Sequence, residues 1–114
     1  MSDCLFCKFV SGEFQPDIVY QNDEVLAFND INPQAPVHIL IIPKKHIATI
    51  NEIEVDDEVL VGKLYSAAKH IATEKGFAED GYRVVMNCNA AAGQTVFHIH
   101  LHLLAGRQFT WPPG

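Results

Sequence analysis

Apolar residues follow two periods along the chain. Leu5, Phe6, Phe9 and Val10 recur at helical spacing, and Gly12 ends that short turn of helix. Strand-like runs follow at residues 17–20 and 24–28, separated by Gln21-Asn22-Asp23, a loop of hairpin length. Residues 32–36, Asn-Pro-Gln-Ala-Pro, predict a turn or loop, and residues 37–42 a strand closed by Pro43. One long helix is predicted over residues 56–75. Leu60, Leu64, Ala67, Ala68 and Ile71 form its buried stripe, acidic residues occupy its first turn, and Gly76 supplies a left-handed cap. Two further strands are predicted at residues 82–87 and 96–104, joined by a loop at residues 88–95. Most links between strands are too short for parallel crossovers, which take about a dozen residues or more. The sum is an α+β fold: a five-stranded antiparallel sheet with one long and one short helix packed on it.

Composition narrows the function. With 114 residues, 48% hydrophobic and 19% charged, the chain fits a single domain with an ordinary core. Its formal charge of −6 argues against coating nucleic acid, which needs basic stripes, but not against a small nucleotide held by a few local donors. No apolar run reaches the roughly 20 residues of a membrane span. The start, Met1-Ser2-Asp3-Cys4, lacks the basic and apolar regions of a signal peptide, so a cytoplasmic location is expected. The cysteines, Cys4, Cys7 and Cys88, are odd in number, which disfavours a disulfide framework and leaves metal binding or free thiols.

The sharpest chemical feature is Phe97-His98-Ile99-His100-Leu101-His102-Leu103-Leu104. On a strand, His98, His100 and His102 share one face, roughly 7 Å apart at Cα, while Ile99, Leu101 and Leu103 face a core. Three adjacent imidazoles repel one another when charged, so their protonation is coupled. Two chemistries fit such a row. One is metal binding, as in a zinc metallohydrolase using the three rings directly. The other is nucleophilic catalysis, with one imidazole attacking and its neighbours donating hydrogen bonds. A non-catalytic nucleotide-binding module is a third reading.

Residues 98–104 match the signature His-φ-His-φ-His-φ-φ at every position, φ being apolar, and the chain resembles the histidine triad family along essentially its whole length. Residues 28–38 (FNDINPQAPVH), Ile42-Pro43-Lys44-Lys45-His46 and Gly93-Gln94-Thr95-Val96-Phe97 look like the family's middle and its approach to the triad. The tail from Gly106, containing Trp111, is similar to the histidine triad nucleotide-binding branch. That resemblance implies hydrolysis of the P–N bond of purine nucleoside 5'-phosphoramidates, with AMP or GMP as the nucleotide moiety. His100 would become nucleotidylated. His102 would bind phosphate oxygens, His98 and His38 would support the tautomer and orientation of His100, and Thr95 would help protonate the leaving nitrogen. Gly93, Gln94 and Thr95 would approach the phosphate, with backbone N–H groups cradling it. The family commonly has Ser where Thr95 stands. Asp30 would accept from the ribose hydroxyls, although a plain turn-forming Asp is an equal reading. Phe6, Phe9, Phe28 and Ile31 would line an apolar slot for the base, and Asn87 would contact the phosphate side. The resemblance also implies a homodimer with a ten-stranded sheet, in which residues 105–114 reach the partner and Trp111 shapes its leaving-group pocket. A dinucleoside polyphosphate hydrolase is the alternative within the family.

Cys4 and Cys7, at i and i+3, share one helical face. Alone the pair leaves zinc, redox chemistry and buried free thiols open. A structural zinc takes four ligands. The resemblance supplies two more, His46 and His98, making zinc a possible structural cofactor that catalysis does not need.

Overall fold

The computed structural model describes residues 3–114. Met1 and Ser2, part of the stretch read for a leader, lie outside the described residues. The elements run α1 (Leu5–Ser11), β1 (Ile18–Gln21), β2 (Val25–Asn29), β3 (Val37–Pro43), α2 (Glu58–Lys75), β4 (Arg83–Val85) and β5 (Leu101–Ala105), with three single turns of 3-10 helix between them. The five strands form one antiparallel sheet in the order β1-β2-β3-β5-β4, as the short links require.

Strand alternation gives the sheet two different faces. Val25, Ala27, Ile39, Ile41, Leu101 and Leu103 point to α2 and pack against Leu64, Ala67, Ala68 and Ile71. Leu26, Phe28, Leu40 and Ile42 point the other way and pack against Phe6 of α1. The predicted stripe of α2 is therefore its buried face, with Leu60 at its partly buried edge. Gly12 and Gly76 end α1 and α2 in left-handed conformation, at φ 85° each. α2 begins two residues later than expected. Asp57 is engaged elsewhere: its carboxylate accepts from the Glu54 N–H at 2.9 Å and from Lys45 Nζ at 2.5 Å, which winds residues 55–57 as a 3-10 turn.

The expected strand over residues 96–104 is corrected: ladder pairing starts only at Leu101. β3 pairs β5 with Ile39 opposite Leu103 and Ile41 opposite Leu101, so Pro43 would come next, opposite Ile99. Pro43 has no N–H to give. Its carbonyl accepts from His98 Nε2 at 2.7 Å, and the Ile99 N–H turns to Ile47 O at 2.7 Å. β4 is likewise shorter than the 82–87 expected. No helix among the described residues is long and apolar enough to cross a membrane.

Candidate active site

The three histidines of residues 98–102 keep one order but different partners. His102, on β5, lies on the α1 face of the sheet opposite Leu40, and His38 sits beside it on β3. His38 Nδ1 accepts from the Gln34 N–H at 3.0 Å, so its proton is on Nε2, which donates to His102 Nδ1 at 2.9 Å. His102 therefore carries its own proton on Nε2. His100 Nδ1 donates to the His98 carbonyl at 2.8 Å, because a carbonyl oxygen only accepts. That fixes the tautomer of His100 and leaves a lone pair on its Nε2. The His100 and His102 rings stand 5.0 Å apart.

Burial is the leading cause that lowers the pKa of all four rings. His102 falls to about 4, with the neighbouring His100 and His38 adding to the effect of burial. His38 and His100 are also lowered, the charge of Asp30 acting in the opposite sense. At neutral pH the rings are uncharged, so His100 presents a lone pair rather than a proton.

His100 and His102 open onto a cleft of about 440 Å³ whose wall includes Phe6, Phe9, Phe28 and Ile31, the four apolar residues expected at a base. Phe28 and Phe9 meet edge to face at 5.1 Å, while Ile31 is exposed at the mouth. Asp30 and Thr95 line the same cleft. Asp30 forms the expected turn and also stands on the cleft wall. One oxygen accepts from the Asn32 N–H at 2.8 Å, forming a turn, and the other lies 3.4 Å from His38 Nε2 at the cleft.

Several expected site residues lie elsewhere. The His98 ring is fully buried and turned from the cleft; it is the His98 carbonyl that reaches His100. His38 orients His102, not His100. Gly93 and Gln94 do not offer their N–H groups to an anion, because these donate to Ala90 O and Asn89 O within their own turn. The Gln94 side chain is a brace, donating to Ala48 O at 2.8 Å and accepting from the Asn89 N–H at 2.7 Å. Among the described residues, the N–H groups of Thr95 and Val96 at the cleft have no backbone partner. Asn87 follows β4 and does not line the cleft. Trp111, expected at the pocket of a partner chain and not at its own, is 81% exposed and does not line this cleft.

A second constellation lies behind the cleft. Cys4 Sγ, Cys7 Sγ, His46 Nδ1 and His98 Nδ1 all fall within 4.8 Å of one another. His98 Nδ1 is 3.4 Å from Cys4 Sγ, 3.6 Å from Cys7 Sγ and 3.2 Å from His46 Nδ1, and Cys7 Sγ is 3.3 Å from His46 Nδ1. A tetrahedral zinc with bonds of about 2.3 Å to sulfur and 2.0 Å to nitrogen sets S···N edges near 3.5 Å and N···N edges near 3.3 Å. The donor set fits. Because His98 Nε2 donates to Pro43 O, its Nδ1 is the lone-pair nitrogen a metal needs. Burial, then the hydrogen bond and charge of Cys4, raise the Cys7 thiol pKa, a load that a cation relieves. His98, His100 and His102 do not themselves converge on one point, so the arrangement lacks a three-histidine metal centre among the described residues.

Residues 11–109 match the HIT domain family. The chain belongs to the HIT domain family. It is 50% identical over 105 residues to an Escherichia coli protein named purine nucleoside phosphoramidase, covering 92% of this chain and 88% of that one. A HIT family hydrolase from Legionella pneumophila has a crystal structure that superposes with a TM-score of 0.95 at 56% identity, covering 97% of this chain and 99% of that one. A histidine triad nucleotide-binding protein from Candida albicans gives a TM-score of 0.81 at 30% identity, covering 96% and 82%.

The HIT match spans the sheet and both of its histidine-bearing strands, whereas Cys4, Cys7 and Trp111 fall outside residues 11–109. Within the HIT cleft, sequence reasoning missed Gln15, Asp17 and Asn29 as wall residues. Asn29 Nδ2 donates to Asp17 Oδ2 at 2.8 Å, a pairing set by the β1–β2 register. The signal present in the sequence was the adjacency of Asn29 to Asp30; nothing local announced Asp17.

Proposed function

We propose that this chain is a hydrolase that cleaves the P–N bond of purine nucleoside 5'-phosphoramidates through a nucleotidyl-His100 intermediate. The observation that carries the reading is the fixed tautomer of His100: Nδ1–H is committed to the His98 carbonyl, and an unprotonated Nε2 belongs to a ring lining an aromatic-walled cleft. The identity to a protein named purine nucleoside phosphoramidase supports the substrate class.

In the first step the His100 Nε2 lone pair forms a bond to the α-phosphorus and the P–N bond breaks, the amine leaving with a proton that the Thr95 hydroxyl relays from solvent water. In the second, water attacks phosphorus and gives its proton to solvent, the N–P bond to His100 breaks with its electron pair returning to Nε2, and the nucleotide is released. Covalent catalysis thus divides one displacement into two easier ones. His102, held by His38, donates its Nε2–H to phosphate oxygens, and the Thr95 and Val96 N–H groups add two donors. Asp30 takes the ribose hydroxyls through Oδ2, the oxygen not used in the Asn32 turn.

Replacing His100 with Ala is expected to lower turnover of adenosine 5'-phosphoramidates at least about 10³-fold. A quenched reaction is expected to show one added nucleotide mass on the peptide containing His100. Turnover by the variant near the native rate would overturn the reading. Slow P–N cleavage beside fast hydrolysis of dinucleoside polyphosphates would favour the other family activity instead.

Zinc at Cys4, Cys7, His46 and His98 belongs to the same proposal as a structural ion, holding α1 to the loop after β3 and taking no part in the displacement. So does a homodimer. β4 is a three-residue edge strand; its Arg83, with Arg107 of the tail, lies over Phe109 at 5.2 and 4.3 Å respectively, and Trp111 of the tail is 81% exposed in one chain. Sedimentation is expected to give twice the 12.7 kDa of one chain.

A further inference from the structure

Helix α1 joins the metal tetrad to the cleft. It has seven residues, too few to be stable alone in water. Among the described residues its backbone makes only local hydrogen bonds, from Lys8 N to Cys4 O, Gly12 N to Phe9 O and Phe14 N to Lys8 O. Two things seat it on the sheet: the apolar contacts of Phe6, Phe9 and Val10, and the thiols of Cys4 and Cys7. Phe6 lies between those thiols in sequence, and its ring stands edge-on to Phe28 at 5.4 Å, to His98 at 5.9 Å and to His100 at 5.1 Å. The base wall is thus built on a helix whose two polar anchors are cysteines. The anchor of the nucleophile has supports outside α1. The His98 carbonyl receives His100, the His98 ring donates through Nε2 to Pro43 O, and the following Ile99 N–H donates to Ile47 O, neither acceptor lying in α1.

We propose that Cys4, Cys7 and His46 are positioning residues for the nucleotide: zinc shared with His98 clamps α1 to the sheet, so that affinity for the base depends on metal loading while the nucleophile stays set. The inference rests on the zinc and nucleotide readings given above. Purified protein, loaded with zinc or stripped by a chelator that is then removed, is titrated with AMP by calorimetry, alongside Phe6→Ala in both forms. The loaded form is expected to hold one zinc per chain and to bind AMP at least about tenfold more tightly than the stripped form, while kcat at saturating phosphoramidate changes less than about threefold. Phe6→Ala is expected to weaken binding strongly in the loaded form and little in the stripped one, since both changes remove the same wall. Amide exchange is expected to quicken over residues 5–11 on stripping, with β3 and β5 still protected. Equal AMP affinity in the two forms, additive effects of stripping and Phe6→Ala, or unfolding of the sheet on stripping would each overturn the inference and leave zinc binding intact. Failure of the protein to take up zinc, or of the loaded form to bind AMP, would instead remove the reading beneath it, and the inference with it.

Discussion

At the scale of single residues, His100 and His102 each have one nitrogen committed by the fold and one left to face the cleft. The His38–His102 pair shows why this matters. The Gln34 N–H sets His38, His38 sets His102, and the result is a donor aimed from a neutral ring. His38→Ala leaves His102 without its partner, free to carry its proton on either nitrogen. A loss of about 10- to 100-fold in kcat, with little change in KM, is expected in steady-state kinetics, the scale of losing an orienting partner at other sites. The same burial has a signature in stability. His102 titrates near 4 in the fold and near 6.5 when unfolded, so the unfolded chain binds more protons between those values. Stability is then full above about pH 6.5 and declines as pH falls toward 4. For this partly exposed ring the loss is about 1–2 kcal/mol after solvent screening. Denaturant unfolding at pH 7 and pH 4.5 checks it, and His102→Gln is expected to flatten the slope. The three triad positions were legible in sequence because period two is a local pattern. Which nitrogen His98 and His102 commit was not, because their partners, Pro43 O and His38, come from distant segments, and the nearby partners of His38 and His100, Gln34 N and the His98 carbonyl, depend on how the backbone turns.

At the scale of elements, what the chain announced locally matches the fold, and what depends on a neighbour does not. The α2 stripe, the turn at residues 32–36 and the strand ending at Pro43 follow from spacing and from turn formers. The late start of β5 follows from a proline on the adjacent strand, and the role of Gln94 from a carbonyl at Ala48, neither visible in the run itself. The exit from β5 is equally constrained. Gly106 has φ 96°, and a Cβ placed there would stand 2.8 Å from Pro36 Cβ, part of a rigid ring in the loop that leads into β3. Gly106→Ala therefore combines a left-handed backbone with a clash that neither side relieves easily. It is expected to lower stability by about 2–4 kcal/mol, read by chemical denaturation. A similar loss is expected for Leu64→Ala, fully buried at the centre of α2's stripe. Because Gly106 also directs the tail, only its substitution is expected to disturb the proposed homodimer, as read by sedimentation.

At the scale of the molecule, an acidic chain is proposed to bind an anion. The formal charge is −6, and no Lys or Arg is among the cleft's lining residues, which include Asp17 and Asp30. Attraction by net charge is therefore of the wrong sign, and binding has to come from oriented neutral dipoles: the His102 Nε2–H and the N–H groups of Thr95 and Val96. Dipoles fixed by the fold act at hydrogen-bonding range, where salt screens little, whereas the repulsion from the chain's net charge acts over distances that salt does screen. The two contributions predict opposite responses to ionic strength. If fixed dipoles hold the phosphate, raising sodium chloride from about 0.05 to 0.5 M leaves the Kd for AMP unchanged or tightens it slightly, by less than about threefold. A site built on cationic side chains weakens instead, as its ion pairs are screened. AMP titrations across that salt range decide the matter. Weakening of tenfold or more would mean that a basic residue outside this cleft, such as one supplied by a second chain, reaches the phosphate, and that the single-chain account of phosphate binding is incomplete.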